Sequence, residues 1–241
     1  MRSTLLIARR ELASYLRSPM GWVIAGAVLF IDGVLFNGFA LGASPKLSAD
    51  VVRDFFYFSS GTTMVASVFL SMRLLAEERQ MGTIVLLHTS PVREVEIVLG
   101  KFLSALAFLG GLTLATVYMP LLVLVNGKVS LGHIAVGYAG LLLLASAALA
   151  IGVFASSLAR SQVVAAVIAA AALVSMLLLW WVAKIADPPL KGFVSALALH
   201  ANNFRPFMEG VLQLRFVVYY LAVTYLFLLF ATKVLQARRW R

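Results

Sequence analysis

The sequence predicts an all-α membrane protein: a bundle of six transmembrane helices with both termini on the cytoplasmic side. Three observations predict it. The chain is 62% hydrophobic with a mean hydropathy of +0.96. Six separate runs, residues 20–41, 55–75, 102–125, 134–158, 163–183 and 216–235, each hold about 20 apolar residues, enough to cross a hydrocarbon core of about 30 Å as helix. With the termini inside, 13 of the 20 Lys and Arg residues fall on the inner side and 7 on the outer, the asymmetry the positive-inside rule requires. The runs lack the period-two alternation of barrel strands, so helices are the spanning form.

The formal net charge of +10 is therefore mostly topological, and the sequence gives no reason to expect nucleic-acid binding. The chain has no cysteine, which excludes disulfides and thiol chemistry. No cleavable signal peptide is expected, because a charged segment precedes the first long apolar run, which would itself serve as the insertion signal.

The opening segment, residues 2–18, reads as an amphipathic helix in the headgroup plane. Leu5, Ala8, Leu12, Tyr15 and Leu16 recur at spacings of three and four, and Arg2, Arg10 and Arg17 cluster on another side, suited to anionic membrane lipid. A soluble basic tail is the alternative. Pro19 ends the helix by disfavouring a helical Ser18.

Within the first span, Asp32 is the only acid embedded in any run. An ionised carboxylate there costs several kcal/mol unless paired or solvated. It is either a transport-path group near Asn37 or a carboxyl satisfied by Ser and Thr of the second span, among them Ser59, Ser60, Thr62, Thr63 and Ser67.

Residues 76–101 form a charged island between two apolar runs, holding Glu77, Glu78, Glu94 and Glu96. Gly82 permits a backbone break, Thr83 can cap a short helix to about Thr89, and Ser90-Pro91 stops it. Ile84, Leu87 and, less fully, Val85 and Leu86 make that helix apolar on one side. Glu77, Glu78 and Arg79 can pair with Arg93, Glu94, Glu96 and Lys101 to brace the loop. The residues alone leave open whether the helix docks onto a partner or buries its leucines in lipid.

Further on, Pro120 interrupts the third span and Gly110-Gly111 loosens its first half, predicting a kink. The small residues of "ASAALAIGVFASS" permit close helix contact in the fourth. Trp180 and Trp181 suit an outer aromatic belt and Trp240 an inner one. The outer connection 184–215 is too apolar for a solvated loop. Phe193, Leu197 and Ala201 share one helical face, as do Phe204, Phe207, Met208 and Val211, with Asn202 and Asn203 between the groups. This predicts a re-entrant pair of short helices capping a central space, or else a plain interfacial helix. His88, His133 and His200 share no spacing that would hold a metal, and the other outer loops are too short for a domain.

The stretch "EERQMGTIVLLHTSPVREVEIVLGKF" resembles the coupling segment of ABC type-2 exporter permeases. "ARRELASYLRSPMGWV" and "HANNFRPFMEGVLQLRFVVYYLAVTYLFLLFATKVLQARRWR" extend the resemblance over almost the whole chain, closest to the branch associated with gliding motility and, more distantly, with multicopper-enzyme maturation. The resemblance implies one half of a dimeric transport path in a prokaryotic plasma membrane, built with a second copy or a related permease. Two separate ATPase subunits would carry ATP and Mg. Carried onto this chain, Gly82, Thr83, Leu86, Leu87, Ser90 and Pro91 would dock the ATPase, with Glu77, Glu78 and Arg79 as supports. The family usually has Glu where this chain has Val85.

No G-x-x-x-x-G-K-[ST] phosphate loop is present, so an ATPase would have to bind in trans, this chain itself being no enzyme and holding no cofactor. The cargo expected is amphipathic, lipid-linked or polymeric, and the short outer loops leave room for an auxiliary extracytoplasmic subunit. A membrane scaffold that recruits cytoplasmic proteins without transport is the rival reading.

Overall fold

The computed structural model describes residues 2–42, 46–82, 92–185, 187 and 190–239. Among the described residues, six helical segments are long and apolar enough to cross a membrane: Pro19–Leu41, Ser48–Gln80, Glu94–Val125, Leu131–Leu158, Gln162–Ile185 and Leu214–Ala237, spans 1 to 6 below. They match the six runs read from the sequence, and no strand occurs among the described residues. The N-terminal helix, Arg2–Arg17, precedes them.

Burial separates the spans by role. In span 4, 78% of the most apolar window is buried inside the protein, against 17% in span 5 and 28% in spans 1 and 6. Span 4 is thus the central post, packed against spans 2, 3, 5 and 6. Its run of small residues allows this: a Cβ at Gly152 would collide with the Ser71 side chain of span 2. The outward faces of the peripheral spans carry large apolar side chains such as Phe30, Val167 and Tyr225, as lipid-facing surfaces do.

Two spans are broken, each for an identifiable reason. In span 3 the first helix, Glu94–Ala115, gives way at Thr116 and Val117 to a second, Tyr118–Asn126. Pro120 lacks an N–H, and its ring crowds the carbonyl four residues back, at Thr116. The kink therefore lies before the proline, while Gly110 and Gly111 stay helical. The Thr116 carbonyl accepts from Met119 N–H at 3.0 Å instead, and Thr116 Oγ1 donates to Thr113 O at 2.7 Å and lies 3.1 Å from Tyr138 Oη.

Span 2 breaks just before the charged island. Its first helix ends at Ser71, residues 72–75 form a turn, and a short helix, Ala76–Gln80, follows. Ser156 of span 4 fills this elbow. Its hydroxyl accepts from the N–H groups of Leu75 and Ala76, both at 3.0 Å, and donates to Met72 O at 3.2 Å.

At the end of the bundle opposite the termini, the connection between spans 5 and 6 contains the two expected short helices, Leu190–Leu197 and Arg205–Met208. The two differ in burial. Phe193 of the first is exposed and none of that helix is buried, whereas Phe204 and Phe207 are fully enclosed in the core with Tyr220. Val211 is exposed and does not join that group. The second group plugs the bundle because its backbone is tied down: Asn203 Nδ2 donates to Ala198 O at 2.7 Å, and Tyr220 Oη donates to Leu199 O at 2.8 Å.

Candidate functional site

The charged island lies at the end of the bundle that carries both termini. Thr83, Leu86, Leu87, Ser90 and Pro91 lie outside the described residues, so the site is built from what flanks them. Gly82 has φ +72°, a left-handed conformation that favours glycine, and its N–H donates to Arg79 O at 3.1 Å. A tight turn thus ends the short helix Ala76–Gln80 directly before the segment predicted to dock.

Three residues of that helix point three ways, because successive side chains on a helix are about 100° apart. Glu78 faces span 3 and accepts from Lys101 Nζ at 3.1 Å. Glu77 turns back along its own span to Arg73, 3.0 Å away. Arg79 faces the turn between spans 4 and 5, donating to Ala159 O at 2.8 Å. Gln80 Oε1 accepts from Gln162 N there at 3.4 Å, and Ala76 packs with Ala159 and Ala165. Of the brace expected across the loop, the Glu78–Lys101 pair is present. Glu77 and Arg79 hold the short helix to spans 2 and 4. On the far side, Arg93 begins the third-span helix, and its N–H donates to the Glu96 carboxylate at 3.3 Å.

Lys101 has a second partner that the sequence reading missed, Glu11 of the N-terminal helix, 2.9 Å from Nζ. The Lys101 side chain is 3% exposed, so this cation is enclosed by two carboxylates from two other elements. The N-terminal helix can come this close because Gly100 faces it: a Cβ there would stand 2.8 Å from Ile7. Tyr15 adds the second anchor. Its hydroxyl donates to Leu70 O at 3.0 Å, its ring stacks on Phe108, and burial pushes its phenol far above the usual range, keeping it a donor at any physiological pH.

The helix Arg2–Arg17 therefore has three faces rather than two. Tyr15 packs inward, Leu5 and Leu16 are exposed apolar residues beside that face, and Arg9, Arg10 and Arg17 are exposed on the remaining side. The signal that was available is that Glu11 is the sole acid in a segment with four arginines. A cleft of about 190 Å³ lies at this junction, lined by Arg10, Glu11, Arg73, Glu77, Glu78 and Lys101 among others.

Deeper in the bundle, Asp32 is 5% exposed and accepts from Thr62 Oγ1 at 2.6 Å. Asn37 is exposed, in the π-helical turn Phe36–Leu41 that ends span 1. At the end opposite the termini, His200 Nε2 and Ser60 Oγ are 2.7 Å apart, and burial pushes the imidazole down to about 4. His133 Nε2 lies 2.7 Å from Met208 O.

Five apolar spans around a buried central sixth, with a charge-locked elbow at the terminal end, define a multi-pass membrane protein. The family model described as ABC-2 family transporter protein matches residues 5–214, and the chain belongs to that family. It is thus a permease component of an ABC transporter, a family whose members work with an ABC ATPase partner. No curated protein matches the chain.

Proposed function

We propose that the chain is the membrane subunit of an ABC exporter, that its terminal end faces the cytoplasm of a prokaryotic cell, and that residues 83–89 dock into a separate ATPase. Two copies, or one copy with a related permease, enclose the transport path, and two ATPase subunits bind and hydrolyse ATP. The chain itself hydrolyses nothing.

The observation that carries this reading is the rigid mount on either side of the docking segment. A loop that merely rested in lipid would not need a capped elbow, an enclosed three-residue charge cluster and a glycine turn held in a left-handed conformation. These features fix where the segment leaves the bundle, so a displacement imposed on it moves spans 2 and 3 and the N-terminal helix together. The surfaces of the spans are apolar, which suits an amphipathic or lipid-linked cargo.

The docking assignment is tested with Leu86→Asp and Leu87→Asp. Each should abolish co-purification of the ATPase and transport-coupled hydrolysis while leaving the permease folded by thermal unfolding. Retention of a bound, transport-coupled ATPase in both variants would remove residues 83–89 from the role. Persistent failure of the wild-type chain to hold any ATPase would favour the scaffold reading instead.

A further inference from the structure

Spans 1 and 2 meet where Thr62 donates to Asp32, but on their outward side they part. They leave an open groove of about 660 Å³, capped at the end opposite the termini by His200. One stripe of span 2 lines it at helical spacing, Tyr57, Gly61, Val65 and Phe69, facing Met20, Ala27, Ile31 and Leu35 of span 1. From Tyr57 to Phe69 is about 18 Å along a helix axis, and from Met20 to Leu35 about 22 Å. Half of a hydrocarbon core is about 15 Å, so the groove accommodates one fully extended lipid chain.

The polar groups within it are already engaged. Thr62 Oγ1 donates to Asp32, and Ser60 Oγ donates to Tyr57 O at 2.6 Å beside His200. The body of the groove therefore favours hydrocarbon. One turn further along the same stripe the chemistry changes. Tyr57 also lines a second pocket of about 350 Å³, with Arg53, Asp54, Met208, Arg205 and Glu209.

Two cations and two carboxylates face that pocket, so it has no net attraction for a simple anion. Its charges are paired, Arg205 with Glu209 at 2.9 Å, Asp54 with Lys46 at 2.9 Å and Arg53 with Asp50 at 3.3 Å and Asp54 at 3.8 Å, but these pairs are partly exposed and are weak enough to be traded for a ligand's charges. Phosphate matches the guanidinium groups and an ammonium matches the carboxylates.

We propose that the groove and the pocket above it form one binding site for a zwitterionic phospholipid, with one alkyl chain between spans 1 and 2 and the head group between Arg53 and Glu209. That such a molecule is the cargo class rests on the exporter reading. The continuity of the stripe from charged to apolar residues favours this occupant over a second copy of the chain, which would not need a head-group pocket there.

The experiment uses the full chain in lipid nanodiscs containing a trace of phosphatidylcholine with a diazirine near the end of one alkyl chain. Labelling should concentrate on Val23, Ala27, Val65 and Phe69 over the lipid-facing Val163 and Val167 of span 5. Gly61→Trp meets open space at its Cβ and fills the groove. It should lower labelling there about tenfold, the loss of roughly two methylenes of contact, and leave span 5 unchanged.

A phosphatidylglycerol probe should label less, and Asp54→Asn with Glu209→Gln should reverse that preference. Uniform labelling of all outward faces, or oxidative cross-linking of two copies through Ala27→Cys in this cysteine-free chain, would overturn the site. Equal labelling by both probes would overturn the head-group assignment. Groove labelling without phosphatidylcholine-stimulated ATP hydrolysis in the reconstituted complex would overturn the cargo assignment alone, leaving the exporter reading to the Leu86 and Leu87 variants.

Discussion

Lys101→Met is the sharpest test of the charge-locked mount. The lysine is 3% exposed and its two carboxylate partners, Glu11 and Glu78, are 18% and 14% exposed. Removing the cation leaves two carboxylates facing a methionine in a largely dehydrated junction. Breaking a buried ion pair in this way costs about 3–5 kcal/mol, more than the Coulomb attraction alone, because the remaining charges keep their desolvation penalty. For a chain of this length 1 kcal/mol corresponds to about 2–4 °C, so the midpoint of thermal unfolding in detergent should fall by about 6–20 °C.

The triple variant Glu11→Gln, Glu78→Gln, Lys101→Met removes the whole charge set and should recover most of that loss, since neutral replacement of a buried cluster is often tolerated. If the cluster also transmits force, the triple variant will be stable and yet show weakened coupling of ATP hydrolysis to transport. A Lys101→Met protein within about 0.5 kcal/mol of wild type, the range of an ordinary surface substitution, would refute the claim that the cluster is buried and mutually dependent. Failure of the triple variant to recover stability would refute the charge argument in favour of a packing defect.

Three further outcomes are expected. Ser156→Ala strips the hydroxyl that serves the Leu75 and Ala76 N–H groups and should destabilise by about 1–3 kcal/mol. Hydrogen exchange should rise at those two amides before it rises elsewhere. Asp32→Asn keeps an acceptor for Thr62 and should leave transport at the wild-type level; a clear loss of transport would make the carboxylate part of the path. The folded His200 has its pKa depressed to about 4 against an ordinary value of 6.5, so the unfolded state binds the extra proton. Its stabilising contribution is complete above pH 6.5 and is lost as pH falls towards 4, and His200→Gln should flatten the fall in unfolding midpoint across that window.

The six spans were legible because each must satisfy its backbone alone in hydrocarbon, which forces a long uninterrupted apolar run that composition reveals. The charged island was legible for the complementary reason, since a polar stretch between such runs has to leave the membrane. Pro120 announced a kink because its missing N–H acts within one helix, although the break sits at Thr116 and Val117, where the ring crowds the carbonyl. What escaped involved partners far apart in the chain. Nothing near Ser156 marks it as the cap of an elbow in span 2, about 80 residues earlier. Glu11 and Lys101 are 90 residues apart, and periodicity in either segment says nothing of the other.

By itself, then, the sequence determined an all-α membrane bundle, the number and order of its spans, the identity of the charged island and the resemblance that names its family. Only the tertiary structure decided that span 4 is the central post, that Phe204 and Phe207 plug the bundle while the helix before them is left exposed, and that Glu78 alone of its neighbours reaches Lys101. The physical reason is range. Hydropathy and helical period act along one segment, whereas the direction of a side chain depends on where the backbone bends and on which neighbour arrives to receive it.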